Sequence, residues 1–299
     1  MKRLALSVLA VVVLASCDTG TPPDTTAHPT TSSTETTSPV PSTTAAAPLS
    51  TTTLASIPEA EVGIYLFFEG YPVEPGPYLA AVSRQGLDGL EPALAALFEG
   101  ATEAEAALGL SSTIPEGTEL LGVEVSEGVA YVDVSIEFGT GGGSLSMMGR
   151  VAQVVYTATR FPGVESVRFF LEGAPLDVLG GEGLIIDEPQ TRAAWVEMIP
   201  PILIEQPLWG STHGNELSFS GTAKLDSGSV SFVVVDADGL IVHEGEITSI
   251  PSELGKFSED LVIDQIPHPG TGSIIAWEWA PDGSQRHVVE YPVSLVNQD

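Results

Sequence analysis

The sequence predicts an α+β two-layer domain followed by an all-β sandwich, with both placed after a disordered linker. Residues 18–58 are mostly Thr, Ser, Pro and Ala and show no apolar periodicity, so they cannot bury enough surface to offset their chain entropy. From residue 61 to about 191, apolar runs typical of strands alternate with runs typical of helices. From about residue 200 onward, short strand patterns are separated by turn residues.

The first residues have the pattern of a secretory signal. Lys2 and Arg3 precede a mainly apolar stretch from Leu4 to Leu14, which is shorter than the roughly 20 residues that a membrane-spanning helix needs. A cleaved signal is therefore favoured over a transmembrane helix. The ending Leu14-Ala15-Ser16-Cys17 resembles the lipobox of bacterial lipoproteins. This resemblance implies cleavage before Cys17 and attachment of a diacylglycerol to its thiol. The composition of the disordered segment indicates a stalk over residues 17–58 that lifts the folded domains off the membrane.

The charge balance excludes several classes of partner. The chain contains 10 basic and 40 acidic residues, for a net charge of -30. Such a chain repels phosphate backbones, so nucleic-acid binding is not expected. An anionic membrane surface would repel it too, so attachment would depend on the lipid. Cys17 is the only cysteine, which excludes disulfides and thiolate metal sites from the remainder.

Local patterns predict the early elements of the first domain. Residues 62–68 are apolar on both faces, which indicates a central strand. A helix is predicted over residues 88–98, with its large apolar side chains on one stripe and Pro92 in the first turn. Thr102 and Glu105 have the spacing of a capping box and should begin a short second helix.

The later elements of this domain include a hairpin and a long helix. Strands over 118–125 and 128–136 surround a turn at Glu127-Gly128, and a helix is predicted over 144–160. The residues expected on the apolar stripe of this helix are Leu145, Met148, Ala152, Val155 and Thr159. Arg150 and Gln153 lie off the stripe and are expected to face outward. With a last strand at 164–171, the predicted order is β-α-α-β-β-α-β, with helices on one face of a sheet.

Several short motifs in this region resemble a known domain. The motifs are Gly100–Glu105, Gly109-Leu110, Ile114–Thr118, Leu120–Val123, Glu127–Ser135, Phe138, Phe161–Val164 and Glu172–Pro175. Their order and spacing resemble the sporulation and spore germination domain, GerMN. Ala101 and Ala158 are conservative departures from the Pro and Leu expected there. The resemblance implies a protein-binding or assembly module of the cell envelope, with no catalytic residues to transfer.

The second domain has the strand content of an immunoglobulin-like sandwich. Strands are predicted over Ile202–Glu205, Glu216–Ala223, Ser229–Asp236, Leu240–Glu246, Gly255–Ile263, Gly272–Trp279 and Gln285–Leu295. Seven strands over roughly 100 residues fit this architecture. The alternation predicts that Ile275, Trp277 and Trp279 face the core. Without disulfides, buried aromatic side chains must provide much of the core.

Motifs in the second domain also resemble a family. Ile204–Pro207, Leu217–Ala223, Val235–Gly239 and Gly255–Phe257 resemble the immunoglobulin-like domain of bacterial spore germination proteins, which commonly follows GerMN. Leu225-Asp226-Ser227 departs from the usual Phe-Glu-Gly of that family.

The predicted ranges are a signal peptide at 1–16, the stalk at 17–58, GerMN at 59–192 and the sandwich at 198–299. Prolines bracket the connector between the last two, so each domain is expected to fold alone.

The sequence offers few candidates for chemistry. The histidines are His28, His213, His243, His268 and His287. None of them forms a closely spaced pair typical of a metal site, and His287 is expected to be partly buried and structural. Asp236–Gly239 begins like a calcium loop but lacks the completing Glu, so a turn is favoured.

Three further patterns have ordinary structural explanations. Gly139–Gly143 precedes a helix as a phosphate cradle does, but it lacks the Gly-Lys-Ser/Thr ending. Asp133 and Glu137 could form a carboxylate pair, yet nothing beside them supplies a nucleophile or a sugar platform. Trp277 and Trp279 could stack on sugars, but their alternation favours the core. No catalytic residue, metal or cofactor is therefore predicted.

The sequence as a whole predicts a lipid-anchored, non-enzymatic protein on the extracytoplasmic face of the cell membrane. Its expected partners are other envelope or cell-wall assembly proteins, with peptidoglycan as a further candidate. One alternative is a protein that binds or acts on wall glycans, which clustered exposed carboxylates or a solvent-facing Trp row would favour. A solute-binding lipoprotein is a second alternative, but the two-lobe α/β repeat of that class is missing.

Overall fold

The computed structural model describes residues 60–70, 76–181, 183–248 and 254–297. Residues 53–299 form one compact unit that includes both predicted folded domains. The predicted signal peptide, Cys17, the stalk and His28 lie outside the described residues.

Within the described residues, the first domain contains nine strands, three α-helices and one 3-10 helix. In chain order the elements are β1 (Glu61–Phe68), β2 (Tyr78–Gln85), α1 (Leu90–Glu99), α2 (Glu103–Ala107), β3 (Leu110–Ser111), β4 (Leu120–Ser126), β5 (Val129–Val134), a 3-10 helix (Ile136–Gly139), α3 (Ser144–Ala158), β6 (Ser166–Leu171), β7 (Ala174–Pro175), β8 (Val178–Leu179) and β9 (Leu184–Ile185). One sheet has the order β2-β1-β3 and another the order β4-β5-β6-β7. The α+β fold class is confirmed.

Strand pairing explains how the helices are placed. β5 and β6 pair in parallel, and α3 is the crossover between them, as a parallel connection requires. α1 contacts β1 and β4, while α3 contacts β1 and β6. The helices therefore pack against strands of both sheets.

β2 was not predicted from the sequence. It pairs with β1 along its whole length, from Glu61 opposite Gln85 to Phe68 opposite Tyr78. Residues 79–82 are buried and include two alanines, a residue type depleted in strands. The pairing with β1, and not local propensity, determines this strand.

The capping box at the start of α2 is confirmed. The backbone N–H of Glu105 donates to Thr102 Oγ1 over 3.3 Å, and the N–H of Thr102 donates to Glu105 Oε2 over 2.8 Å. Both orphan donors at the helix N-terminus are thereby satisfied.

α3 differs from the predicted one-sided helix. Arg150 and Gln153, expected to face outward, are fully buried, whereas Leu145, expected to face the core, is exposed. The Gln153 amide donates to the carbonyl of Tyr65 over 3.0 Å and accepts from the N–H of Thr113 over 2.9 Å. Because strands and loops surround the helix, its polar residues bond to backbone instead of water.

The second domain is the predicted sandwich. A 3-10 helix (Arg192–Met198) precedes β10 (Ile202–Gln206), β11 (Thr212–His213), β12 (Glu216–Ala223), β13 (Ser229–Val235), β14 (Ile241–Thr248), β15 (Gly255–Val262), β16 (Gly270–Trp279) and β17 (Gln285–Leu295). One sheet has the order β10-β12-β15 and the other β11-β17-β16-β13-β14. Phe219 from the first sheet packs on Phe232 from the second, with ring centroids 4.5 Å apart.

The prediction for the inward face of β16 is partly wrong. Ile274 and Ala276 are buried, Trp277 is buried, and Trp279 is 46% exposed. The register between β16 and β17 shifts between Ala276 and Glu278. Ile275, which was predicted to face the core, is only partly buried between the fully buried Ile274 and Ala276. The inward face of β16 is therefore opposite to the predicted one already before the shift.

Candidate functional site

The second domain contacts the first through a short segment around Trp209. Trp209 forms an isolated parallel bridge to Val82 of β2. Its backbone N–H donates to the carbonyl of Ala81 over 2.8 Å, and its carbonyl accepts from the N–H of Ser83 over 3.0 Å. The segment therefore extends the β2-β1-β3 sheet beyond β2.

The indole of Trp209 joins the cores of the two domains. Its ring centroid lies 4.7 Å from that of Phe68 and 5.4 Å from that of Tyr291. The Tyr291 hydroxyl also accepts from the N–H of Ala81 over 3.3 Å. Since Trp209 is buried, apolar side chains of both domains form one continuous core.

A buried group of ionisable side chains forms a second contact between the domains. We call Tyr65, Tyr156, Arg160, Arg192 and Glu205 the junction cluster. Glu205 Oε1 accepts hydrogen bonds from the Tyr65 hydroxyl and, over 2.6 Å, from Arg192 Nη1. Arg160 Nη1 lies 3.8 Å from the same oxygen. One carboxylate from β10 is thus placed between two guanidinium groups.

Arg192 is held in place by the first domain. Its Nε donates to Thr159 Oγ1 over 2.6 Å, and its Nη2 donates to the carbonyl of Tyr156 over 3.1 Å. Its Cζ lies 4.8 Å from the centroid of the Tyr156 ring, within the range of a cation–π contact. Arg192 therefore connects the end of α3 to β10.

Arg160 lies across a glycine of β1. A Cβ atom at Gly63 would come within 2.6 Å of Arg160 Nε, which is closer than real contacts allow. The missing side chain at Gly63 therefore provides the space in which the guanidinium reaches the junction. Arg160 Nη1 also donates to the backbone carbonyl of Glu205 over 3.2 Å.

The groups of the junction cluster shift one another's pKa values. Burial alone would raise the pKa of Glu205, but the charge of Arg192 and the hydrogen bonds from Tyr65 and Arg192 hold that pKa below its usual value. Burial, together with Glu205, raises the pKa of Tyr65 to about 12. At neutral pH, Glu205 is therefore ionised and Tyr65 is a hydrogen-bond donor. Neither group is poised for proton transfer near pH 7.

A groove of about 440 Å³ opens beside the junction cluster. Arg160 and Arg192 line one side, and Lys256, Ser220 and Ser258 of the second domain line another. The groove therefore brings together three basic side chains in a strongly acidic chain.

The Gly-rich loop before α3 binds Arg150. Arg150 Nη1 donates to the carbonyls of Phe138 and Thr140 over 2.6 and 2.9 Å, and Nη2 donates to the carbonyl of Gly141 over 3.0 Å. A phosphate cradle needs N–H groups directed at the ligand, whereas here carbonyl oxygens converge on a guanidinium. The loop therefore stabilises α3 by accepting hydrogen bonds from Arg150.

Asp236 organises the predicted turn. Its buried carboxylate accepts the N–H groups of Asp238 and Leu240 over 3.1 and 2.9 Å. His268 Nδ1 lies 2.9 Å from its second oxygen. Within the described residues, no group of three or more His, Cys, Asp or Glu side chains is arranged to hold a metal ion.

The remaining candidates have structural contacts. His213 Nε2 lies 2.6 Å from Ser211 Oγ, which is buried. His287 is largely buried, as expected, and its Nε2 lies 3.6 Å from Glu278 Oε2. Asp133 Oδ1 accepts the N–H of Gly173 over 3.0 Å, which stabilises the turn between β6 and β7.

His243 stacks on Phe232, with ring centroids 6.0 Å apart. Glu137 lies in the 3-10 helix that follows β5.

Strands β4 and β5 carry exposed apolar side chains. Leu121 and Val125 of β4 are 49% and 45% exposed, and Tyr131 of β5 is 38% exposed. Tyr131 lies beside Phe170 of β6, with ring centroids 6.1 Å apart. Within the described part of the chain, β4 pairs only with β5 and is an edge strand.

No pattern in the sequence predicts the junction cluster. Its members come from β1, the end of α3, the start of a 3-10 helix and β10, so they are far apart in the chain. The available signal was the scarcity of basic residues in the sequence. An arginine that becomes buried on folding needs a specific acidic partner, so each of the few arginines was a candidate for such a pair.

The apolar stretch from Leu4 to Leu14, predicted to belong to a cleaved signal, lies outside the described residues. In the part of the chain that the structure describes, every helix is too short or too polar to cross a membrane.

Two solved structures are similar to parts of the chain. One is the first GerMN domain of the sporulation protein GerM from Bacillus subtilis, at 21% identity and a TM-score of 0.37, over 45% of this chain and 98% of that chain. The other is the tandem GerMN domains of the same protein, at 15% identity and a TM-score of 0.38, over 69% of this chain and 62% of that chain. Similarity at this level carries no functional conclusion.

Family models match two separate segments of the chain. Residues 64–177 match the Germane model, described as sporulation and spore germination. Residues 201–284 match the Gmad2 model, described as the immunoglobulin-like domain of bacterial spore germination. No curated protein is significantly similar in sequence. The chain therefore contains a sporulation and spore germination domain over residues 64–177 and an immunoglobulin-like domain of bacterial spore germination over residues 201–284.

Proposed function

We propose that the chain is a non-catalytic, lipid-anchored module that binds another envelope protein along β4. The observation that carries this proposal is the exposed edge of β4 with Leu121 and Val125 beside it. An edge strand presents unpaired backbone N–H and C=O groups, to which a strand of another protein can add. Exposed apolar side chains next to such an edge increase the surface buried on docking.

The burial of α3 narrows the choice of docking surface. The sequence left two surfaces open, the long helix and a sheet edge. Because Arg150 and Gln153 are buried, the helix has no outward face at those positions to offer a partner. The edge of β2 is partly covered by Trp209. Among the described edge strands of this domain that carry exposed apolar side chains, β4 has seven residues, whereas β8 and β9, which carry Val178 and Ile185, have two each. β4 therefore offers the longest such edge for strand addition.

Crosslinking from β4 tests this proposal. With a photo-crosslinking amino acid in place of Leu121, irradiation of intact cells should yield a discrete crosslinked species containing an envelope protein. The same amino acid in place of Ile241, which is 51% exposed on the edge strand β14, should not yield that species. Equal crosslinking to the same protein from both positions would contradict docking at β4.

A charge substitution on β4 provides a second test of docking at this edge. Val125→Lys should abolish the Leu121 crosslink, because a lysine on an edge opposes strand addition. The free energy of unfolding should change by less than about 0.5 kcal/mol, since the side chain is exposed. Ile241→Lys is the matched control.

The tryptophans bear on the glycan alternative. Of the four tryptophans, Trp195, Trp209 and Trp277 are buried, and Trp279 is exposed. A single exposed ring does not make the row of aromatic platforms that would favour a glycan-binding surface. Protein binding therefore remains our proposal, with peptidoglycan as a secondary partner.

The anchoring part of the proposal rests on Cys17. Cys17→Ser should release the protein from the membrane fraction or leave an uncleaved precursor, because the thiol is the only group in the chain that can carry the diacylglycerol. Fractionation and gel mobility of the variant would measure this. Wild-type behaviour in both assays would show that the protein is not a lipoprotein.

A further inference from the structure

We infer that the groove at the domain junction binds an acidic peptide segment through its carboxylates. This goes beyond the proposed docking at β4, because the groove is formed by the end of α3, the start of the 3-10 helix, β10, β12 and β15. We call this groove, lined by Arg160, Arg192, Lys256, Ser220 and Ser258, the basic groove.

The charge distribution is the first argument. The chain has 10 basic residues against 40 acidic ones, yet three of the ten line the basic groove. Glu205 is the acid among the lining residues, and its Oε1 is already bound by Arg192 and Tyr65. The groove is therefore a positively charged site on a protein that otherwise repels anions.

Unused donors are the second argument. Within the described residues, Arg160 bonds to protein acceptors through Nη1, while its Nε and Nη2 have no acceptor. Its side chain is 14% exposed and lines the groove. Lys256 is exposed and, in the described part of the chain, has no ion-pair partner. A guanidinium fork and an ammonium at one groove match the oxygens of carboxylates.

The floor of the groove favours a peptide over a small anion. Ser220 of β12 and Ser258 of β15 lie opposite each other in the sheet, and both line the groove. Within the described residues, β15 is the outer strand of the β10-β12-β15 sheet. An extended segment running along β15 can place one carboxylate near Lys256 and another near Arg160.

Calorimetric titration of the full-length chain in non-ionic detergent tests this inference. The probes are hexaglutamate, hexaglutamine and inorganic phosphate, at an ionic strength of about 0.15 M so that the repulsion from distant acidic residues is screened. We expect hexaglutamate to bind, hexaglutamine not to bind, and phosphate to bind more weakly than hexaglutamate.

Lysine substitutions locate the binding. Lys256→Gln should weaken hexaglutamate binding about fivefold, which corresponds to about 1 kcal/mol. Lys224→Gln removes the same charge from an exposed position outside the groove and should leave the affinity unchanged. Both substitutions are at exposed side chains, so both variants should fold.

Three results would overturn the inference: no binding of hexaglutamate, phosphate binding at least as tight, or equal effects of the two lysine substitutions. Val125→Lys should bind hexaglutamate like the wild type, so failure of the β4 proposal is distinguishable from failure of this one.

Discussion

Replacing Trp209 with alanine should lower the free energy of unfolding by about 3–5 kcal/mol, the usual cost of truncating a buried tryptophan. The indole packs between Phe68 of the first domain and Tyr291 of the second. Its removal would leave a cavity at the contact that joins the two cores. Urea unfolding followed by circular dichroism measures the loss.

Trp279→Ala is the matched control for this prediction. Trp279 is an exposed tryptophan, and its truncation should cost about 1 kcal/mol or less. If Trp209→Ala were no more destabilising than Trp279→Ala, Trp209 would not be the anchor of the junction.

The same contact bears on whether the two domains are independent. Prolines in the connector led to the expectation that each domain folds alone, and fragments covering 59–192 and 198–299 still provide the test. The shared core now predicts that each fragment is less stable than the joined pair, because separation exposes Trp209 and Tyr291. The joined pair should unfold in one transition.

Replacing Glu205 with glutamine should destabilise the protein by about 3 kcal/mol at neutral pH, because it leaves two largely buried guanidinium groups without their carboxylate. Arg192 Nη1 lies 2.6 Å from Glu205 Oε1, and Arg160 Nη1 lies 3.8 Å from it. Glu197→Gln is the control, since its partner Lys224 is exposed and 3.8 Å away. An exposed pair of this kind contributes less than about 1 kcal/mol.

The effect of Glu205→Gln should shrink in acid. The pKa of Glu205 in the folded protein lies below the ordinary value of 4.5 that applies to the unfolded chain. Its contribution to stability is therefore fully present above that value and is lost as the pH falls through the folded pKa. Unfolding of both proteins at neutral pH and at about pH 3 measures the difference. An undiminished difference at the lower pH would contradict the ionic role of Glu205.

Local signals explain why much of the fold could be predicted. The capping box of Thr102 and Glu105, the turn at Glu127-Gly128 and the strand runs of the sandwich each depend on neighbours within a few residues. Such patterns act through local hydrogen bonding and burial on one face. The motif resemblances to both domains, which the family models confirm, rest on the same kind of short-range information.

The predictions that failed concern which side chains are buried, and not where the helices and strands lie. α3 occurs at the predicted position, but packing on several sides buried Arg150 and Gln153. β16 occurs where predicted, but its inward face carries Ile274 and Ala276 and not Ile275, and Trp279 is exposed. Burial of a side chain depends on what lies opposite it, and a single-face periodicity assumes that only one face is covered.

The sequence by itself determined the order of elements, the two domain types and the scarcity of basic residues. Only the tertiary structure decided that Tyr65, Arg160, Arg192 and Glu205 would meet, and that Trp209 would pair with β2. These residues are separated by up to 144 positions, and no local pattern relates them. Their contact exists because two domains pack together, and the low polarity of that interface makes the pairing of their charges obligatory.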